Sequence, residues 1–384
     1  MTTAVRVVDG NQLKTVSLTI NGVTVDVPRG TTVLEAAKKA GIYIPTLCSD
    51  PDLTPFGGCR MCIVEIENVR GLPASCTLEA TDGMVVRTDT PAVKRTRQTT
   101  LELILANHPS ECLICHRRQH CGPNDICLRN VSVTDRCVVC PKNKQCQLQG
   151  VVEYLGIDET HFGRLRQRTR VVPVDDSNPA YIRDMNKCIL CGRCWRACHE
   201  VTGIDAIEML NRGDLSTVGG LGNKPILFSR CETCGECVSR CPTGALVFRE
   251  SRPAAHEVKT ICPYCGVGCQ LYLGVKDGQI VGVRGDKEGP ANQGRLCVKG
   301  RFGIADFVNH ADRLKTPLVR RNGRLEEATW DEALDIVASK LGRYRGDEVA
   351  VISSAKATNE DNYVMQKFAR VVLGTNNVDH CARL

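Results

Sequence analysis

Twenty-four cysteines in a chain of 384 residues constrain the fold more than any other feature. Only 4% of residues are aromatic and 34 are glycine, so apolar cores are small and several modules need another source of cohesion. Most of the cysteines lie in CxxC pairs, the spacing that thiolate-bound metal requires, and not in a disulfide pattern. The hydrophobic fraction of 42% is that of a folded protein. The N-terminal stretch MTTAVRVVDGNQLKTVSLTI has no basic segment leading into an apolar run and no twin-arginine pair. With no later run of about 18 apolar residues, a cytoplasmic chain without membrane insertion is expected. The formal charge of +7 counts thiols as neutral. Metal-bound thiolates would make the loaded chain mildly acidic, so the charge gives no support to a nucleic-acid partner.

Six segments follow from the pattern. Residues 16–27 alternate apolar and polar around Asn21-Gly22, a hairpin signal, and Thr31 or Thr32 caps a helix that Gly41 stops after Ala40. With a strand at 63–66, this makes a domain of residues 1–92. A helix over 92–107, with Pro91 in its first turn, opens a cysteine-dense domain of residues 93–155. Residues 156–180, with Arg164, Arg166, Arg168 and Arg170, read as a linker and a solvated basic face. Residues 181–250 hold an internal repeat of a four-cysteine motif. A second linker at about 249–259 precedes a small β module, 256–315, whose Asp277-Gly278 turn joins runs at 270–276 and 279–283. In residues 316–384, a capping box at Thr329 and Glu332 starts a helix over 330–341. A strand at 349–353, a helix over 359–373 stopped by Gly374, and a strand near Val378 follow. This is the opening of an α/β domain with a parallel sheet.

The repeat places Cys188, Cys191, Cys194 and Cys198 against Cys231, Cys234, Cys237 and Cys241-Pro242, the two-cluster ferredoxin spacing in which each fourth cysteine serves the other cluster. One [4Fe-4S] cluster is therefore assigned to Cys188, Cys191, Cys194 and Cys241, the other to Cys231, Cys234, Cys237 and Cys198. His199 stands where such ferredoxins often carry proline. Structural zinc uses separated CxxC pairs and fits this spacing poorly.

Cys48, Cys59, Cys62 and Cys76 resemble the [2Fe-2S] site of the large iron–sulfur subunit of complex I and of iron-only hydrogenases, in a β-grasp domain, with zinc as the other occupant such thiols accept. The glycines of FGGCRMC let backbone amides approach the sulfurs. His108, Cys112, Cys115 and Cys121 resemble the His/Cys3 [4Fe-4S] site of the same families, and imidazole in place of a thiolate raises the potential. Cys127, Cys137, Cys140 and Cys146 form a further four, read as a second [4Fe-4S] site with Cys127 as fourth ligand; zinc or free thiols are the alternatives. Cys262, Cys265, Cys269 and Cys297 resemble the N-terminal [4Fe-4S] site of molybdenum or tungsten bis-pterin oxidoreductases, formate dehydrogenases in particular. That likeness runs on through Lys299, which in the family relays electrons between cluster and pterin, and through NEDNYVMQKFARVVLGTNNVDHCAR. Only Cys381 is left outside these sets, read as a small buried residue.

The fold class implied is an α+β multi-module iron–sulfur protein. It comprises a β-grasp [2Fe-2S] domain, a His/Cys cluster domain, a double [4Fe-4S] ferredoxin, a small β [4Fe-4S] domain and the start of an α/β pterin-binding domain. The resemblance implies one [2Fe-2S] and five [4Fe-4S] clusters. A Mo or W bis-molybdopterin guanine dinucleotide would be completed only by a C-terminal catalytic portion. It also implies formate oxidation to CO2, with electrons passed to a flavoprotein linked to NAD(P) or to a ferredoxin-type acceptor. In that family the segment matching DHCARL precedes the metal-ligating selenocysteine or cysteine, so a selenocysteine codon after Leu384 is the expectation. A freestanding electron-transfer subunit is the alternative. The complex I large subunit is disfavoured for lacking a doubled ferredoxin repeat, and iron-only hydrogenase because the Cys262 group fits a pterin enzyme. Chain order suggests a route from the Cys262 cluster through the ferredoxin pair to the His108 and Cys127 sites and then to the [2Fe-2S] module.

Overall fold

The computed structural model describes residues 15–161, 172–249 and 254–381. The arginine run at 164–170 and the Ala-Arg-Leu end of DHCARL lie outside them. The chain divides into two compact units, Met1–Cys231 with Glu236–Arg249, and Glu232–Gly235 with Glu250–Leu384.

The first unit begins with the hairpin β1 (Thr15–Ile20) and β2 (Val23–Pro28), turned by Asn21 and Gly22, both in the left-handed region that such a two-residue turn demands. Helix α1 (Val33–Lys39) is capped by Thr32, whose side chain accepts from Glu35 N while Glu35 reaches back to Thr32 N. Strands β3 (Glu65–Ile66) and β4 (Val85–Arg87) complete a sheet ordered β2-β1-β4-β3, with β1 and β4 parallel. The strand expected over 63–66 is shorter, because Ile63 makes only an isolated bridge to Ala74. Leu18, Ile20, Val33, Ala36, Val64 and Val86 form a core with none more than 1% exposed.

Helix α2 (Pro91–Leu105) starts at the Thr90 cap with proline in its first turn, and α3 (Gln147–Tyr154) begins directly after Cys146. Leu101, Leu105, Leu148 and Val152 from these helices close on Leu47 and Met61 of the first cysteine loop, tying the two modules by one core. The repeat region is framed by β5 (Tyr181–Arg183) and β8 (Leu246–Phe248), an antiparallel pair. Between them lie α4 (Arg193–Arg196), the hairpin of β6 (Glu208–Leu210) with β7 (Thr217–Gly219), and α5 (Glu236–Arg240).

The second unit opens with the antiparallel sheet of β9 (His256–Ile261), β10 (Gln270–Lys276) and β11 (Gln279–Gly285), then α6 (Ile304–Asn309). Asp277 and Gly278 turn the β10–β11 hairpin, both with positive φ. A small hairpin, β12 (Leu318–Arg321) with β13 (Arg324–Glu327), leads to α7 (Trp330–Leu341), β14 (Val351–Ser353), α8 (Asn359–Val371) and β15 (Val378–His380). Strands β14 and β15 pair in parallel. The Thr329 box forms by half: Thr329 accepts from Glu332 N, but the Glu332 carboxylate is drawn to Arg321, a stronger charged partner. Cys381, expected to be buried, is exposed and touches Ser354, since nothing layers over this end of β15 among the described residues.

Candidate metal centres

In the first loop, Cys48, Cys62 and Cys76 are buried and Cys59 half-buried. The thiols hydrogen-bond one another, Cys59 and Cys76 to Cys48 and Cys76 to Cys62, which holds Cys48 down at about 2 and Cys62 at about 6. Four thiols packed this closely are a donor set suited to a cationic iron–sulfur core. Backbone amides also aim at them: Cys59 N lies 3.4 Å from Cys48 Sγ, and Leu47 N 3.4 Å from Cys59 Sγ. The loop turns through left-handed Gly57 and Arg60, and a Cβ on Gly58 would sit 2.5 Å from the Phe56 ring.

Two hollows divide the next eight candidate ligands. Cys137, Cys140 and Cys146 line one together with His108, which the end of α2 delivers through a His108 N to Leu105 O bond. Cys112, Cys115, Cys121 and Cys127 line the other, and Cys137 lines both. The grouping by chain order and the grouping in space therefore differ.

In the repeat region the two cysteine loops share a backbone. Leu190 and Gly192 in the first, and Thr233 and Gly235 in the second, occupy equivalent positions with positive φ. Cys241 sits beside the first loop, where burial, and after it the neighbouring thiols, raises Cys191 and Cys194. N–H groups again point at sulfur, from Leu190 to Cys188 at 3.4 Å and from Ala206 to Cys198 at 3.3 Å, and buried Tyr181 Oη is 3.1 Å from Cys231 Sγ. Arg193 Nε and Trp195 Nε1, flanking Cys194, are buried with no hydrogen-bond partner among the described residues, which fits donors to a cluster sulfide.

In the second unit, burial raises Cys262 and Cys269, and Cys262, Cys265, Cys269 and Cys297 lie close enough for their charges to add to it. Cys262 N bonds Cys269 O across the sheet, and Lys299 opens the π-turn Lys299–Gly303. Buried Arg301 in that turn donates to the Cys234 carbonyl at 2.8 Å. Among the described residues, no three His, Cys, Asp or Glu side chains converge as ligands of a single ion.

Chain order misplaces one neighbour. The [2Fe-2S] loop is not held away from the ferredoxin module by the His108 region. Arg196 of α4 donates to the carbonyls of Cys48 at 2.6 Å and Thr54 at 2.5 Å, Glu200 accepts from Thr54 N, and Arg240 of α5 pairs with Asp52 at 2.7 Å. The same module meets the His108 hollow, where Gln147 N bonds Pro242 O and a Cβ on Gly244 would fall 2.5 Å from Cys140 Sγ. The ferredoxin module is thus a junction. Arg196, Arg240, Tyr181 and Arg301 carry no spacing signal by which the sequence alone could have found them.

Thiols in sets of four, several of them approached by backbone N–H groups and eight of them arranged in a duplicated motif, define an electron-transfer module of the iron–sulfur type. Family matches tile the chain accordingly. They are a 2Fe-2S iron-sulfur cluster binding domain at residues 13–91, the NADH-ubiquinone oxidoreductase-G iron-sulfur binding region at 97–128, and the NADH-quinone oxidoreductase subunit 3 ferredoxin-like domain at 179–247. The molybdopterin oxidoreductase Fe4S4 domain follows at 255–310 and molybdopterin oxidoreductase at 313–384. By these domains the chain is a multi-domain iron–sulfur protein with the start of a molybdopterin domain, similar to the G-type subunits of NADH-quinone oxidoreductases. It is 39% identical to the second G-type NADH-quinone oxidoreductase subunit of Rhizobium meliloti over 96% of this chain and 40% of that protein. It is 35% identical to the NADPH-Fe(3+) oxidoreductase alpha subunit of Geobacter sulfurreducens, again over 96% and 40%. A Staphylococcus haemolyticus protein with a provisional formate dehydrogenase name is 29% identical over 95% and 39%. The chain spans about 40% of the length of these relatives. The objection to a complex I subunit loses its force, because a quinone-oxidoreductase ferredoxin family spans both cysteine quartets of the repeat.

Proposed function

We propose that this chain is the electron-transfer portion of a molybdenum or tungsten bis-pterin oxidoreductase that oxidises formate to CO2 and passes the electrons to a flavoprotein partner. The observation that carries it is the Cys262 group with Lys299 at the entrance of a molybdopterin domain, on the same chain as a doubled ferredoxin motif. Bound clusters would supply one-electron carriers that accept a two-electron oxidation stepwise. The protein's part is to hold and tune them. Cys262, Cys265, Cys269 and Cys297 hold the carrier nearest the pterin side, Lys299 lies at the pterin contact, and the repeat cysteines hold a pair. Cys48, Cys59, Cys62 and Cys76 hold the [2Fe-2S] group. Amides of Leu47, Cys59, Leu190 and Ala206 favour the reduced state by donating to sulfur, and Arg196 and Arg240 fix the [2Fe-2S] loop against the ferredoxin helices.

A second reading, an electron-transfer subunit serving an NADH-linked enzyme with no formate chemistry, is favoured by the higher identity to the Rhizobium meliloti relative than to the one with a formate dehydrogenase name. The two separate on the native complex purified anaerobically. The first expects formate to reduce the iron–sulfur signals within one mixing experiment. Reduction by NADH or NADPH with none by formate would replace it with the second.

A further inference from the structure

His108 and the seven cysteines of the 112–146 segment offer eight ligands for two sites, and the lining of two hollows divides them against chain order. Two triads share one spacing, Cys112-x2-Cys115-x5-Cys121 and Cys137-x2-Cys140-x5-Cys146, so each can supply three ligands and only the fourth is in question. The candidates are His108 and Cys127. His108 lines the hollow of Cys137, Cys140 and Cys146 and does not line the hollow of the first triad, whereas Cys127 lines the hollow of Cys112, Cys115 and Cys121 and does not line the other.

We infer that His108, Cys137, Cys140 and Cys146 ligate one [4Fe-4S] cluster and that Cys112, Cys115, Cys121 and Cys127 ligate a second, all-cysteine one. The inference rests on the iron–sulfur reading of this region and exchanges a single ligand between its two sites. Cys137 lines both hollows and its thiol meets Cys112, so the sites adjoin. Counted with the hollow that also holds His108, Cys137 completes four donors in each site.

The electrostatics agree. An oxidised [4Fe-4S] core with four thiolates carries −2, and one with an imidazole in place of a thiolate carries −1. Arg117, Arg118, Arg129 and Arg136 line the all-cysteine hollow, Arg117 paired with Asp125 and Arg118 with Glu153, while the histidine hollow has Asp135 and a single cation, Lys187, itself paired with Asp184. The larger negative charge is matched by the larger cationic wall. A suitable tautomer is also open to the histidine. His108 Nδ1 lies 3.0 Å from the Pro109 carbonyl, which can only accept, and the tautomer with its proton on Nδ1 is the one that ligates through Nε2. Cys127 Sγ, for its part, accepts from Val131 N at 3.4 Å, as a cluster thiolate does. It is then the histidine-ligated site that adjoins Cys241 of the ferredoxin module, through Cys146, Gln147 and Gly244.

The test is pulsed EPR for imidazole 14N coupling on the reduced full-length chain, with iron counted in the same samples. Wild type should show one [4Fe-4S] signal with nitrogen coupling. Cys115→Ser should lose up to about four irons and keep that coupling, whereas Cys140→Ser should lose both. The reverse pattern would restore the chain-order grouping, and loss of coupling in both variants would also overturn the inference. His108→Cys, which keeps a full ligand set, should abolish the coupling with iron unchanged; coupling that persists there sinks the proposal whatever the serine variants do. Zinc without iron in this segment would remove the iron–sulfur reading itself, an outcome distinct from a reversed pattern.

Discussion

The β-grasp domain and the C-terminal α/β segment are built from the same local signals and end in opposite states. Helix α1 is capped by Thr32 with Glu35 and α8 by Thr358 with Asp361, each a reciprocal box, and both segments place helices between strands. Yet Val33, Ala36 and Ala37 of α1 are wholly buried, while α7 has no buried residue and Trp330, Leu334 and Val337 stand open to solvent. Ile352 on β14 is 79% exposed, against 0% for Ile20 on β1. Caps and periodicity decide where an element starts and stops, but a core needs a second layer. Two parallel strands cannot provide one on both faces. A four-stranded sheet with a helix laid on it does.

The sharpest way to break this contrast is hydrogen exchange with limited proteolysis of the isolated chain. Amides of α7 and α8 should exchange at least about 100-fold faster than those of β1 and β4, and first cleavage should fall within residues 330–372. Equal protection in both segments would mean that the α/β segment is cohesive by itself. Core substitutions should divide in the same manner. Leu18→Ala should cost about 2–5 kcal/mol in denaturant unfolding and lower [2Fe-2S] occupancy, whereas Leu334→Ala on exposed α7 should stay within about 0.5 kcal/mol. Comparable losses would refute the burial argument.

The contrast extends to how the β-grasp domain is held. Arg196→Ala removes a buried guanidinium from the Cys48 and Thr54 carbonyls and should cost about 1.5–3 kcal/mol. It should also shift the midpoint potential and g-values of the [2Fe-2S] signal, which a merely distant structural residue would leave unchanged. The smallest effect is at the caps. Thr32→Ala should lower stability by about 1 kcal/mol, while Thr358→Ala should reduce helicity near α8 by circular dichroism with no change in the unfolding of the β-grasp domain.

What could be read in the sequence was local or repetitive. Asn21-Gly22 and Asp277-Gly278 each specify a turn by their tolerance of positive φ, Thr32 and Thr329 mark helix starts, and the repeated quartet discloses a duplicated unit with the same left-handed positions in both copies. What could not be read depends on residues far apart in the chain. Arg196 meets Cys48 across 148 positions, and Glu332 abandons its cap for an arginine brought near by the β12–β13 hairpin. His108 faces a triad that begins beyond the nearer one, because the intervening loop folds out into its own hollow. Spacing names the ligands; only packing says which share a site.

That these thiols hold six clusters is tested most directly by counting iron and acid-labile sulfide per full-length chain, reconstituted anaerobically, with zinc determined in parallel. About 22 irons and a matching number of sulfides per chain are predicted, with zinc near zero. Stoichiometric zinc, or iron limited to the [2Fe-2S] and ferredoxin sites, would contradict the six-cluster assignment.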